Sequence, residues 1–301
     1  MPESSRVIFG DAVDALNDIE RNSIAACITD PPYNYEFIGH KWNNEEIERR
    51  MQRVASANSS TLVKNIPYGS QLAGGVRNRR WYERVQENID AYQEWCLSWA
   101  EPLFSSCIPG APVAVFNSTR TAAHVQIALE RAGFYARDIL VYRRHSGIPK
   151  GLNLGAKLRK QNHPDAEEWD GWHSCFRNEW EAIVLVQKPI ENNYENNIKK
   201  YGIGLFNTKS DDGSFLSNII EGASSRKKSV EKALHINEKP QALMDRLIKM
   251  LVPCRQDHVV IDPFCGSGTT LVAAKKYGVN YIGIDNDKKC IDISIDRLNK
   301  I

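Results

Sequence analysis

Short apolar runs alternate with helical patterns along this chain, and the alternation predicts an α/β protein built on a mostly parallel sheet. Arg6-Val7-Ile8-Phe9 reads as a strand closed by Gly10-Asp11, and a helix follows through Val13, Leu16 and Ile19. Ile24-Ala25-Ala26-Cys27-Ile28 is apolar throughout, as a strand covered on both faces must be. Residues 92–104 predict an amphipathic helix with Trp95, Trp99 and Leu103 near one face, and 113–118 another buried strand. A helix over 121–132, ended by Gly133, and strands over 137–144 and 181–186 fill the middle of the chain. The last third predicts a helix over 241–251, a strand over 257–261, a glycine-rich turn and a helix ended by Gly278. A strand at 281–284 then ends on Asp285, and a final helix follows.

Between these elements the pattern dissolves three times. Residues 34–88 hold a Gly-Ser-Gln-Leu-Ala-Gly-Gly run and many charges, which reads as a long loop outside the core. Within it Arg77, Arg79, Arg80 and Arg84 surround Trp81 and Tyr82, a mixture suited to phosphate contact and base stacking, or simply to a solvated face. Residues 155–180 are polar and tryptophan-rich without a period, and 191–234 read as a loosely packed insertion with a basic run at Arg226-Lys227-Lys228. His163, His173 and Cys175 do not fall at metal-ligand spacing, so no metal site is expected.

Bulk composition narrows the setting. A chain of 301 residues, 42% hydrophobic and 25% charged, suits one large α/β domain with embellishments or two modest domains. A net charge of +2 is too small to draw nucleic acid to the whole surface, so such binding would need local basic patches. Seven scattered cysteines without a C-x-x-C pair, no signal peptide and no apolar run of membrane length predict a cytoplasmic protein.

Two stretches carry candidate chemistry. Thr29-Asp30-Pro31-Pro32-Tyr33 follows the buried strand at 24–28. The prolines fix their own φ, remove two N–H groups and stiffen the residue before them, leaving bare carbonyls, a carboxylate and a flat ring. Such a shelf suits a planar group that donates through an amine, although a proline-rich turn capped by an acid is the plainer alternative. The second stretch, Asp262-Pro263-Phe264-Cys265-Gly266-Ser267-Gly268-Thr269-Thr270, lies between strand and helix, with Asp285 after the next strand. Thr269 stands where a phosphate loop needs lysine, and the third glycine of a dinucleotide site is missing. Asp262 would repel a pyrophosphate but suits a ligand with an ammonium group and a positive centre, such as S-adenosylmethionine.

Together the Asp-Pro-Pro-Tyr and Asp-Pro-Phe-Cys-Gly-Ser-Gly-Thr-Thr stretches resemble the amino-methylating DNA methyltransferases. With the catalytic stretch first and the cofactor loop last, the order is similar to that of their β class, and His235 to Pro240 is similar to its HxxxKP segment. The resemblance implies a Rossmann-like, S-adenosylmethionine-dependent methyltransferase fold in circularly permuted order. It implies cofactor contacts from Phe264, Gly266, Gly268, Thr269, Asp262 and Lys239, ribose contact from Asp285 and adenine contact from Asp11. The catalytic domain would comprise 1–33, 89–189 and 235–301, with 34–88 a basic loop insertion and 190–234 a target-recognition region. Arg77, Arg79, Arg80, Arg226, Lys227 and Lys228 become candidate DNA contacts. Asp30 and the Pro31 carbonyl would accept both protons of an exocyclic amine, and Tyr33 would stack on the flipped base beside Pro32. Asp as first residue of the stretch favours adenine-N6 over cytosine-N4, where Ser is more frequent. The implied partner is double-stranded DNA, with a cognate restriction endonuclease as companion, no membrane, and a monomer or homodimer. A DNA-binding module without turnover is the alternative of another class.

Overall fold

The computed structural model describes residues 5–33, 79–144, 151–210, 212–222 and 239–301. They fall in two compact units: the first takes in those of 1–33, 91–143 and 180–301, the second those of 34–90 and 144–179.

The first unit is organised by an eight-stranded sheet. Its strands are β1 (Arg6–Phe9), β2 (Ala26–Thr29), β3 (Pro112–Asn117), β4 (Tyr135–Arg143), β5 (Trp180–Gln187), β6 (Ile219–Glu221), β7 (Val259–Asp262) and β8 (Asn280–Asp285). They lie in the order β1-β8-β7-β2-β3-β5-β4-β6, parallel throughout except for β5, which runs against β3 and β4. From the neighbours β7 and β2 the chain builds outward in opposite directions, so a crevice opens at their C-terminal ends, where such sheets bind ligands. The first and last strands pair in this sheet, with Phe9 of β1 beside Asp285 of β8.

Both sheet faces are covered, which explains the unbroken apolar strands. β2 turns Cys27 toward one cluster, with Leu16, Trp99, Leu103 and Leu129, and Ala26 and Ile28 toward the other, with Leu243, Leu247 and Leu251. The covering helices include α1 (Ala12–Asn17), α2 (Arg79–Ser106), α3 (Ala122–Arg131), α6 (Gln241–Leu251), α7 (Thr269–Lys276) and α8 (Lys288–Asn299); α4 (Leu154–Lys160) and α5 (Tyr194–Tyr201) precede the last three. In the second unit, Arg159 of α4 is paired with Glu167 and Asp170, and an Asn153–His173 bridge closes the segment.

Three expectations change. Helix α2 begins at Arg79, so 79–88 is helix and not loop; good helix formers such as Arg, Glu and Gln continue the pattern upstream of Tyr92. The stretch 155–180 contains α4 and a 3-10 turn at Pro164–Ala166, too short to reveal a period. The expected insertion at 190–234 is, up to residue 222, part of the first unit. Helix α5 is capped by Asn193 and by Gly202 at φ 68°, the buried Asn197 side chain donates to Pro109 O and Ile203 O, and β6 extends the sheet beside β4. A few buried anchors, Asn197, Ile203 and Ile220, hold an otherwise polar segment, and so sparse a pattern escapes periodicity.

Candidate active site

The shelf forms at the C-terminal end of β2, where two prolines stop the ladder. Thr29 is fully buried, and its hydroxyl donates 2.6 Å to Asp262 Oδ1 at the end of the neighbouring β7. One hydrogen bond thus joins the two candidate stretches across the crevice. The next residue, Asp30, accepts 2.7 Å from the Tyr33 hydroxyl on Oδ1 and lies 2.8 Å from Lys239 Nζ through Oδ2. Burial pushes the Asp30 carboxyl up, while Lys239 and Tyr33 pull it down. Tyr92 donates 3.3 Å to the Pro32 carbonyl and receives Asn117 Nδ2 at 2.8 Å, so α2 and β3 brace the shelf from behind. Thr121 in turn donates to Asn117 Oδ1.

The glycine turn leaves β7 beside this shelf. Asp262 is buried, and its Oδ1 also accepts the Phe264 N–H at 3.1 Å. Burial raises its carboxyl to about 7, against the pull of hydrogen bonds from Thr29, Thr270 and Phe264. Gly266 and Gly268 adopt φ of 50° and 80°, values that residues with a side chain rarely take. Asp285 accepts the Gly266 N–H on one oxygen and the Asp287 N–H on the other, both at 2.8 Å, and its carbonyl accepts the Gly10 N–H at 3.0 Å. From α8, Ser294 donates 2.7 Å to Gly266 O, and Arg297 reaches Ser267 O, Ser267 Oγ and Thr269 Oγ1 at 2.9, 3.0 and 3.1 Å. The Phe264 ring packs against Trp95 and Trp99, each 5.7 Å between centroids. Cys265 is buried, and burial raises its thiol well above the usual range, unlike a reactive thiolate.

The structure brings Asp30, Pro31, Pro32 and Tyr33 together with Asp262, Phe264, Gly266, Gly268, Thr269 and Asp285 at adjacent strand ends. Asp11 lies at the same edge, where its Oδ1 caps α1 by accepting from Val13 N at 2.8 Å and Asp14 N at 3.4 Å. Lys239, placed at the cofactor by the resemblance, reaches Asp30 and lies 3.4 Å from Glu181 Oε2. Its four-carbon stem starts just ahead of α6 and carries the charge to the shelf. Arg77, Arg226, Lys227 and Lys228 lie outside the described residues, as does His235; Arg79 and Arg80 open α2. Glu181, Tyr92, Asn117, Ser294 and Arg297 were not singled out by sequence. A faint signal was present for two of them: Glu181 and Asn117 are polar residues at the edge of otherwise apolar strands. Among the described residues no group of three or more His, Cys, Asp or Glu could hold a metal, and no helix is long and apolar enough to cross a membrane.

A parallel sheet wound outward from β7 and β2, with a glycine turn on one strand and an acid–proline shelf on the other, is a Rossmann-like methyltransferase architecture. The chain belongs to the N6/N4 DNA methylase family, whose model matches residues 24–296. It is 28% identical to the type II methyltransferase M.HindIII of Haemophilus influenzae, over 96% of this chain and 93% of that protein. It is 27% identical to the type II methyltransferase M2.LlaDCHI of Lactococcus lactis subsp. cremoris, over 99% and 90%. Among solved structures, the M1.HpyAVI–SAM complex aligns over 98% of both chains with 20% identity and a TM-score of 0.55. The cytosine-N4-specific PvuII DNA methyltransferase covers 97% of this chain and 86% of that one, with 15% identity and a TM-score of 0.60. The protein is thus a DNA methyltransferase of the N6/N4 class, a family of SAM-dependent enzymes.

Proposed function

We propose that the protein is a site-specific methyltransferase of double-stranded DNA acting on the exocyclic N6 amine of adenine, with S-adenosylmethionine as methyl donor. The observation that carries this reading is the Thr29–Asp262 hydrogen bond, which sets the Asp30 shelf directly beside the glycine turn.

The turn fits the cofactor. A carbon added to Gly266 or to Gly10 would meet nothing within 4 Å, so both strand ends leave their backbone open to close approach. Phe264, Gly266, Gly268 and Thr269 would hold the methionine end, Asp285 the ribose and Asp11 the adenine. The backbone N–H groups of Gly266 and Asp287 fix the Asp285 carboxylate in place. When bound, S-adenosylmethionine supplies a methyl group on a positively charged sulfur.

Asp30 orients and activates the acceptor. An exocyclic amine is a weak nucleophile because its lone pair is delocalised into the ring. Hydrogen bonds from its two protons to Asp30 and the Pro31 carbonyl favour a tetrahedral nitrogen with the lone pair free for in-line attack. Among the described residues nothing donates to the Pro31 carbonyl. The base leaves the duplex to reach this depth, and the Tyr33 ring is the surface for it to stack on. Target recognition falls to 190–234, with the basic segment 34–88 as the second candidate, and a cognate endonuclease is a fitting companion.

Transfer of labelled methyl from S-adenosylmethionine to unmodified DNA, with mass spectrometry of the released nucleosides, tests the reading. The expected product is N6-methyladenine; N4-methylcytosine would assign the other base, and no product would leave a binding module. Asp30→Ala is expected to keep cofactor binding while losing transfer by about a thousandfold.

A further inference from the structure

Lys239 sits where two carboxylates compete for one ammonium. Its Nζ lies 2.8 Å from Asp30 Oδ2, 3.4 Å from Glu181 Oε2 and 3.2 Å from the Tyr33 oxygen, with the Phe116 and Tyr33 rings at 5.0 and 5.5 Å. The side chains of Lys239 and Glu181 are only 12% and 13% exposed. Charges in so dry a place act on one another more strongly than in water. Without Lys239, Asp30 would be buried beside Glu181 and driven toward its protonated form, which offers one fewer acceptor. With Lys239 devoted to Asp30 alone, the carboxylate would be a poor acceptor for a neutral amine. Glu181, the second residue of strand β5, draws on the same ammonium.

We propose that Lys239 and Glu181 jointly set the acceptor strength of Asp30: Lys239 keeps it ionised, and Glu181 keeps the ion pair from quenching it. Both are positioning residues, acting through Asp30, and the inference rests on the reading of Asp30 as the amine's acceptor. Among the described residues, the titratable groups that face Asp30 are Tyr33 from the shelf, Lys239 ahead of α6, Glu181 from β5 and Asp262 from β7.

The two residues act in opposite directions, and that makes the test sharp. Methyl transfer to unmodified DNA by the full-length protein is followed against pH at saturating S-adenosylmethionine. Lys239→Met is expected to move the acidic limb of the profile up by about one unit or more, and Glu181→Gln to move it down by about half a unit to one. Lys239→Arg should return the limb most of the way. Cofactor affinity, measured by calorimetry, should stay within about threefold in all three. A limb that stays in place, or moves the same way in both variants, overturns the proposal, and an unmoved limb would assign it to Asp262. If Lys239→Met fails to fold, Glu181→Gln decides alone, since an upward or absent shift refutes the idea. Full transfer by Asp30→Ala is a separate outcome that would instead sink the reading of Asp30 itself.

Discussion

The two halves of the site are held by different forces. The shelf at the end of β2 is a charge cluster, in which Asp30, Lys239, Glu181 and Tyr33 interlock behind rigid prolines. The turn at the end of β7 is a shaped backbone, held by side chains that reach its peptide groups: Ser294 on Gly266 O, Arg297 on Ser267 O, Asp285 on Gly266 N. A shelf that must pull on an amine needs a tuned carboxylate. A turn that must cradle a ligand needs an exact curve and open space. Substitutions in the shelf should therefore show in pH dependence, and those in the turn in affinity at every pH.

Asp262 belongs to both halves and gives the largest test. Its folded-state pKa of about 7 lies above the ordinary carboxylate value of 3.8, so the folded protein binds the proton more tightly than the unfolded chain. The stabilisation is full below the ordinary value and disappears as pH rises through the folded value. Relative to Asp262→Asn, the wild type should lose on the order of 4 kcal/mol between pH 4 and 7 and nothing further above. Chemical denaturation of both proteins across that range measures it. A difference independent of pH would mean that Asp262 stays ionised and belongs with the shelf's charges.

The turn should respond to shape. Gly268 has φ +80°, and an added carbon there would lie 2.7 Å from Ser294 Oγ and 2.9 Å from Ser294 Cβ. Gly268→Ala therefore strains the backbone and pushes α8 away, which should weaken S-adenosylmethionine binding about a hundredfold, near the upper end of such strain. Calorimetric titration should find this loss equally at pH 6.5 and 8.5. A loss confined to one pH would erase the distinction between the two halves.

Most of the sheet was legible because strands buried on both faces must be apolar, and the two motifs fell on the ends of such strands. The permuted order was legible through the resemblance, from the catalytic stretch standing before the cofactor loop, and Arg6-Val7-Ile8-Phe9 pairs with the last strand as that order implies. What the sequence hid was pairing at a distance. Lys239 and Asp30 stand more than two hundred positions apart, and a lysine beside proline carries no mark of what its long stem will reach. Glu181 looked like the polar first residue of a strand, and only the reversal of β5 between β3 and β4 turns that end toward the site. Ser294 and Arg297 lie on the final helix, whose pattern gave no sign that the glycine turn uses one of its faces as a wall.

Ser294 also supplies the finest test of the turn. It is fully buried, and its hydroxyl donates a hydrogen bond of 2.7 Å to Gly266 O. Losing such a bond is worth about 1 kcal/mol, so Ser294→Ala alone should weaken the cofactor about fivefold. The same atoms are what an alanine at Gly268 would strike, and removing the hydroxyl opens room for it. The two changes touch one another and should not add. The double variant Gly268→Ala/Ser294→Ala should bind S-adenosylmethionine more tightly than Gly268→Ala alone, by about threefold to tenfold. Any gain shows that crowding against Ser294 is part of the harm done by the single change; strict additivity would show that backbone strain at φ +80° accounts for all of it. In either case the acidic limb of the transfer profile should stay where Asp30, Lys239 and Glu181 set it.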